Sequence, residues 1–379
     1  MSSVAQRDFL IVGAGVVGLS IAWQLAKHGA KVTVIDSGDV GRAASWAGAG
    51  ILPPARFEAG GHPVEKLRGL ANHLHPQWSM QLKEVTGVDN GYRKCGGLHL
   101  ARTIGEEASL LGLAALFADE GIPCVARSAA ECQSAELNLE PDPELKVGYW
   151  VPDEAQIRNP RHLRALSEAC LTNGVTLLEH EPVEAWEVND RRIAAVVTKK
   201  RKLTAEVVCL TAGAWTVRLL EMLGISNGLL PVRGQMVLFR TPTPLLGCIV
   251  NEGSRYLVPR EDGRLLVGST EEEVGFDCQT TPNAIEDLVD FAYSLVPKLK
   301  QSSIEATWAG LRPATFDGLP YMGRLPGLDN GFVSAGHFRS GLSLSPAIAE
   351  VMTKLMNHEN TVIDLAPFRV DREWSQQVC

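Results

Sequence analysis

A chain of 379 residues is long enough for two domains around a large buried core. Its 45% hydrophobic and 21% charged residues are the composition of a globular protein, and a net charge of −8 argues against a nucleic-acid partner, which needs a clustered basic surface. No stretch approaches the ~18 consecutive apolar residues of a membrane helix, and no signal-peptide pattern leads into the first apolar run.

Taken in chain order, Phe9–Val12 reads as a short apolar strand. Gly13-Ala14-Gly15-Val16-Val17-Gly18 follows at once, and Val17, Ile21 and Leu25 then recur at helical spacing. Gly29 is placed to end that helix, and Lys31–Ile35 alternates into a second strand ending at Asp36. This βαβ unit carries a dinucleotide-binding chemistry. Gly13 permits the tight turn, Gly15 lets the backbone approach a pyrophosphate, and Gly18 lets helix and sheet pack closely. Phosphates would lie at the helix N-terminus, and the Asp36 carboxylate would accept hydrogen bonds from an adenosine ribose. By itself the motif does not separate NAD from FAD.

The strip Gly41–Ile51 is small, flexible and poor in charge, suited to lie along a pyrophosphate and a flavin ring. Helical patterns are predicted at about 63–86, 105–121, 159–173, 213–223, 282–296 and 346–356. Between them lie strand-like runs at Leu98–Ala101, Ile193–Thr198, Val207–Thr211, Gln235–Phe239, Tyr256–Pro259, Leu265–Ser269 and Gly331–Ser334, with turns such as Glu261-Asp262-Gly263 marking antiparallel hairpins. The basic run Lys199–Lys202 is predicted to be a solvated hairpin tip. Near the end, Gly336-His337-Phe338-Arg339-Ser340-Gly341-Leu342 precedes a helix expected to open at Ser345-Pro346, a second anion site that suits the pyrimidine end of a flavin. The eight cysteines contain no C-x-x-C pair, which fits neither a zinc site nor a disulfide framework and points to a reducing cytoplasm. His73-x-His75 lacks further ligands nearby, so no metal is expected.

These motifs together resemble the D-amino-acid oxidase family of flavoproteins, and within it the glycine-oxidase branch associated with thiamine synthesis. The resemblance covers nearly the whole chain. It is carried by Leu230-Pro231-Val232-Arg233-Gly234-Gln235, Tyr256-Leu257-Val258-Pro259-Arg260, Val267-Gly268-Ser269-Thr270-Glu271-Glu272, Trp308-Ala309-Gly310-Leu311-Arg312-Pro313, Asp317-Gly318-Leu319-Pro320 and the Gly336–Gly341 segment. It implies a mixed α/β and α+β fold, in which a Rossmann-like FAD-binding domain (1–85, 145–230 and 305–379) is interleaved with an antiparallel-sheet substrate domain (86–144 and 231–304). It implies non-covalent FAD, with backbone contacts at Val16, Val17, Ser37, Ala44, Ser45, Ala49, Gly50, Ile51 and Val183 and again at His337, Phe338, Arg339, Ser340, Gly341, Leu342 and Ser343. The absence of cysteine from 305–345 sets the chain apart from flavin-linked sarcosine oxidases. The chain departs from the family pattern at Trp46, at Ser254, and at Arg255, expected to add positive charge near the pocket mouth.

The implied reaction is oxidative deamination of a small amino acid, with molecular oxygen as acceptor and peroxide and ammonia as products. Arg312 is the first candidate for gripping the substrate carboxylate, because its planar fork pairs both oxygens. Tyr256 would donate to the same carboxylate, and Arg339 would complete the cage or face the flavin carbonyls. The ordinary alternatives are an inter-domain salt bridge, a core aromatic and a solvated loop arginine. No general base and no His–carboxylate pair is expected. Sarcosine, larger D-amino acids and β-amino acids stay open as substrates, as do dehydrogenase chemistry, a flavin binder without turnover and a homo-oligomeric state.

Overall fold

The computed structural model describes residues 8–57 and 62–372. Asp8–Val12 (β1) is buried along almost its whole length and pairs in parallel with Lys31–Ile35 (β2) on one side and Val207–Leu210 on the other. Between β1 and β2 runs the helix Val16–Lys27 (α1), which ends at His28 and turns through Gly29 in the left-handed region (φ +82°). β1 and β2 belong to a six-stranded sheet completed by Thr176–Leu178 beyond β2 and by Gly331–Ala335 and Tyr321–Arg324 beyond Val207–Leu210. All its pairings are parallel except the last, Gly331–Ala335 with Tyr321–Arg324.

One face of this sheet packs against α1 and the helices Pro63–Thr86, Asn159–Thr172 and Gly341–Met356, around a core that includes Leu19, Trp23, Leu166, Phe332 and Ile348. Trp23 and Trp78 meet edge to face at 4.8 Å there. The opposite face packs against the small antiparallel sheet Val183–Asn189, Arg192–Thr198 and Lys202–Leu203. The basic run forms the tip between its last two strands, where Arg201 pairs with Glu181 at 3.0 Å and Lys199 with Glu184 at 3.8 Å.

A second sheet has eight strands, in the order Ser303–Thr315, Leu229–Arg240, Arg264–Gly268, Arg255–Pro259, Ile249–Glu252, Gly97–Ala101, Val147–Val151, Val125–Arg127. Only the pairing of Ile249–Glu252 with Gly97–Ala101 is parallel. Strand alternation divides its side chains between two faces. Val237, Phe239, Leu257 and Val267 pack on one side against the helix Pro282–Leu295. Met236, Ile249, Tyr256, Val258 and Leu266 lie on the other, packed against Ala49 of the small-residue strip. The strip joins the eight-stranded sheet to the turn and first helix that follow β1, in the interleaved α/β and α+β arrangement expected from the sequence.

Three boundaries differ most from expectation. The strand expected over Gln235–Phe239 runs from Leu229 to Arg240, paired along its whole length with Ser303–Thr315. The 213–223 pattern divides into a 3-10 turn, Gly213–Trp215, and the helix Thr216–Met222. The last helix starts at Gly341 rather than at Ser345-Pro346. Proline inside a helix leaves the carbonyl four residues earlier without its donor. Here that carbonyl belongs to Leu342, and the Ser345 hydroxyl donates to it at 2.9 Å, so the helix continues through Pro346.

Candidate active site

The glycine motif sits in a crevice whose close approaches exclude larger residues. A Cβ on Gly13, which has φ +115°, would lie 2.6 Å from the Thr211 backbone; one on Gly18 would lie 1.9 Å from the Gly13 carbonyl. Gly15 is the N-cap of α1, so Val16, Val17 and Gly18 form its first turn, whose N–H groups have no partners within the helix. The Val16 amide donates to the Ser45 hydroxyl at 3.0 Å, which brings the small-residue strip to this helix end. Asp36 follows β2 directly. Its carboxylate accepts from the Ala14 amide at 2.7 Å and the Gly38 amide at 2.9 Å. Burial pushes the Asp36 carboxyl above the usual range, and those amide bonds offset part of the rise. Ser37 is exposed beside it. The Glu181 amide donates to the Asp36 carbonyl at 2.8 Å, which draws the start of the Val183 strand alongside.

The strip is held as a ledge from behind. Asn159 Nδ2 donates to the Ser45 carbonyl at 2.7 Å, Trp308 Nε1 to Ala47 at 3.0 Å, Arg260 Nη2 to Ala49 at 2.7 Å, and the Ile157 amide to Gly50 at 2.8 Å. Ala44 opens the short helix Ala44–Ala47, and Ile51 pairs with Gln156. At the far end, His337 is buried and its Nε2 lies 3.3 Å from the Ser334 hydroxyl, while burial pushes its pKa down to about 4. Phe338 turns the chain at φ +47°, with its amide on the Pro313 carbonyl at 2.7 Å. Ser340 caps the helix that contains Gly341, Leu342 and Ser343, and the Ser343 carbonyl lies 2.8 Å from Nε2 of the buried His75. That helix packs beside α1, so two helix N-termini, a ledge and a carboxylate share one crevice.

Above the ledge the structure brings Tyr256, Arg312 and Arg339 together. Arg312 stands on the strand Ser303–Thr315, and its guanidinium crosses the neighbouring strand at Gly234, where a Cβ would lie 2.2 Å from Nη2. Nη2 donates to the Ser269 hydroxyl at 2.6 Å and Nη1 to the Thr270 carbonyl at 3.0 Å. Burial lowers the Arg312 pKa, the Tyr256 hydroxyl opposes that drop, and Arg339 adds to it. The guanidinium remains a cation, as arginine does in proteins. Tyr256 is buried, with its hydroxyl 3.5 Å from the Met236 sulfur. Arg339 lies at the rim, donating to the Ser254 carbonyl at 3.1 Å and facing Glu271 at 3.8 Å.

Several features were outside the sequence reading. Arg255 does not add charge at the pocket mouth: strand alternation sends it to the face opposite Tyr256, where it pairs with Glu252 at 3.2 Å and lies over Phe291 at 4.1 Å. Trp46 meets Trp308 edge to face at 5.3 Å. Tyr149, His99, Asn251, Tyr256, Gly268, Met236 and Trp308 are paired strand to strand in one row. His99 of that row forms a His–carboxylate pair that was not expected: its Nε2 lies 2.7 Å from Glu154, in the turn after Val147–Val151, and Glu154 also accepts from Asn251 at 3.2 Å. Its members come from separate strands and a loop, so no local spacing announces it. Among the described residues no cluster could hold a metal ion, and no helix is long and apolar enough to cross a membrane.

Residues 8–355 match the family model described as FAD dependent oxidoreductase. The chain belongs to that family. Among relatives of this FAD-dependent oxidoreductase, a glycine oxidase of Pseudomonas putida is 36% identical over 363 residues, 96% of this chain and 98% of that protein. A bifunctional ThiO/ThiG protein of Nostoc is 31% identical over 98% of this chain and 56% of its own length. The crystal structure of glycine oxidase from Geobacillus kaustophilus superposes with a TM-score of 0.92 at 32% identity, covering 97% of this chain and 99% of that one. FAD would fit the residues present: the paired helix ends would take its pyrophosphate and pyrimidine, the ledge its ring, and Asp36 its ribose.

Proposed function

We propose that this FAD-dependent oxidoreductase oxidises glycine, or an amino acid close to it in size, at the carbon–nitrogen bond. The reading rests chiefly on the Arg312 guanidinium, half-buried above the cofactor ledge and steered by Ser269 and Thr270. The glycine oxidases among its relatives support it. Arg312 pairs the substrate carboxylate, the Tyr256 hydroxyl donates to it, and Arg339 closes the rim; together they fix the α-carbon over the ledge. Tyr256, Met236 and Trp308 crowd the same row of the sheet and limit the room for a side chain. FAD, when bound, supplies the two-electron acceptor and returns the electrons to oxygen. The protein contributes orientation and a positive field that favours the substrate as a carboxylate. The likeness to the ThiO/ThiG protein adds a role in supplying thiamine synthesis.

The test is peroxide production from glycine, sarcosine and a panel of D-amino acids by wild type and Arg312→Ala. Truncating one partner of a buried charge pair costs about 2–5 kcal/mol, so kcat/KM for glycine should fall about thirty- to several-thousand-fold with flavin retained. Wild-type kinetics in the variant on every amino acid would remove Arg312 from the site. An absence of peroxide from glycine would remove glycine.

A further inference from the structure

Apart from the Ser269 and Thr270 bonds to Arg312, two sequence motifs, Val232–Gln235 and Ser269–Glu272, have no direct place in the reaction. The structure joins them. Glu272, outside any strand, and Arg233 exchange both backbone hydrogen bonds, at 2.8 and 3.0 Å, as an isolated antiparallel bridge. The Arg233 guanidinium is buried and donates to Glu272 at 2.6 Å, to Asp277 at 2.7 Å and to the Gln279 carbonyl at 3.0 Å. The other Glu272 oxygen accepts from Gln235 Nε2 at 2.8 Å and from the Thr270 hydroxyl at 2.6 Å. That same hydroxyl accepts from the Gln235 amide at 3.0 Å.

One carboxylate therefore takes three side-chain donors, two of them from the strand that Arg312 lies across. Its partner Thr270 is the residue whose carbonyl holds Arg312 Nη1, and the adjacent Ser269 hydroxyl holds Nη2. Bonds to a charged acceptor are about twice as strong as neutral ones, so Glu272 is the strongest tie on the turn that aims the guanidinium. We propose that Glu272 is a positioning residue for the substrate carboxylate site: clamped by Arg233 and Gln235, it fixes Ser269 and Thr270 where they hold Arg312 in line for bidentate pairing. The inference rests on Arg312 gripping the carboxylate.

The experiment compares wild type, Glu272→Gln, Thr270→Val and Arg312→Ala as FAD-loaded enzymes. Steady-state kinetics on glycine are paired with the dissociation constant of acetate, a carboxylate that cannot be oxidised, read from the flavin absorbance. An amide keeps the shape of Glu272 but loses its charge and one acceptor. Glycine KM and the acetate constant should each rise about tenfold in Glu272→Gln, with kcat within about twofold, because the carboxylate is gripped alike in ground and transition states. Thr270→Val should shift both in the same direction by less. Oxidation of a small amine lacking a carboxylate should not respond. Acetate binding unchanged in Glu272→Gln while Arg312→Ala loses it would overturn the positioning role alone. Acetate binding unchanged in Arg312→Ala would overturn the grip and the inference with it. If Glu272→Gln does not fold, Thr270→Val decides: wild-type acetate binding there overturns the proposal.

Discussion

Gly234→Ala offers a way to disable Arg312 without touching it. The added methyl would lie 2.2 Å from Arg312 Nη2 and 2.4 Å from both Cζ and Nη1. Ordinary carbon contacts fall near 3.5–4.0 Å, so the guanidinium must retreat by about 1–1.5 Å. What the methyl meets is the far end of a flexible side chain, so the strand itself can persist. A retreat of that size breaks the 2.6 Å bond to Ser269 and takes the fork out of register with a carboxylate. A misplacement of about 1 Å near the chemistry costs roughly a hundredfold in rate, about 2.7 kcal/mol. We expect kcat/KM for glycine, measured by peroxide release, to fall by about that factor with the flavin spectrum intact. Loss of the bond to Ser269 costs about 1.5–3 kcal/mol of stability, offset in part by the roughly 0.5–1 kcal/mol that alanine gains over glycine within a strand. Combined with Arg312→Ala, the second change should add little, the non-additivity expected when two substitutions remove one interaction. A kcat/KM within about threefold of wild type would refute the placement of the guanidinium over Gly234.

Asp36→Ala should weaken FAD binding about ten- to a hundredfold by removing charge-assisted ribose bonds worth about 1.5–3 kcal/mol each, read by flavin fluorescence titration of the apoprotein. Because burial raises the Asp36 carboxyl and ribose donors need it ionised, FAD affinity in wild type should fall as pH drops through that raised value, and the variant should lack this component. Burial holds His75 near 4, against 6.5 for an exposed histidine. An unfolded chain then binds a proton between these values that the folded one refuses. Stability should therefore decline as pH falls from about 6.5 to about 4, by about 3 kcal/mol from this residue. Thermal unfolding of wild type and His75→Gln across that range checks it; parallel curves would sink the assignment.

The first βαβ unit was legible because its signals are local: a strand, three spaced glycines, a helical period, a C-cap and an acid in continuous order. Arg312, Tyr256 and Arg339 were reached only through resemblance, since nothing near any of them says that three segments converge. The inward side of Tyr256 also fixes Arg255 as outward by strand alternation, an inference the sequence permitted and the pocket-mouth expectation overlooked. The His99–Glu154–Asn251 contact lay beyond reach, because it depends on a parallel pairing between strands about 150 positions apart. The early start of the last helix was hidden by Pro346, whose cost Ser345 offsets through a hydroxyl bond that the dipeptide does not advertise.

The six-stranded sheet has a consequence for how the protein comes into being. Its central strand Val207–Leu210 lies between β1, from the start of the chain, and Gly331–Ala335, from near its end. The second helix end that the cofactor crevice needs comes later still, at Gly341. Chains emerge from the ribosome at about 5–20 residues per second, so the nucleotide-binding βαβ unit waits roughly 15–65 s for its partners. During that interval a nascent chain offers a pyrophosphate turn without the second helix end that suits the pyrimidine. Cofactor capture is thereby deferred until translation is nearly complete, and a fragment ending before residue 331 lacks both a sheet neighbour of Val207–Leu210 and half the crevice.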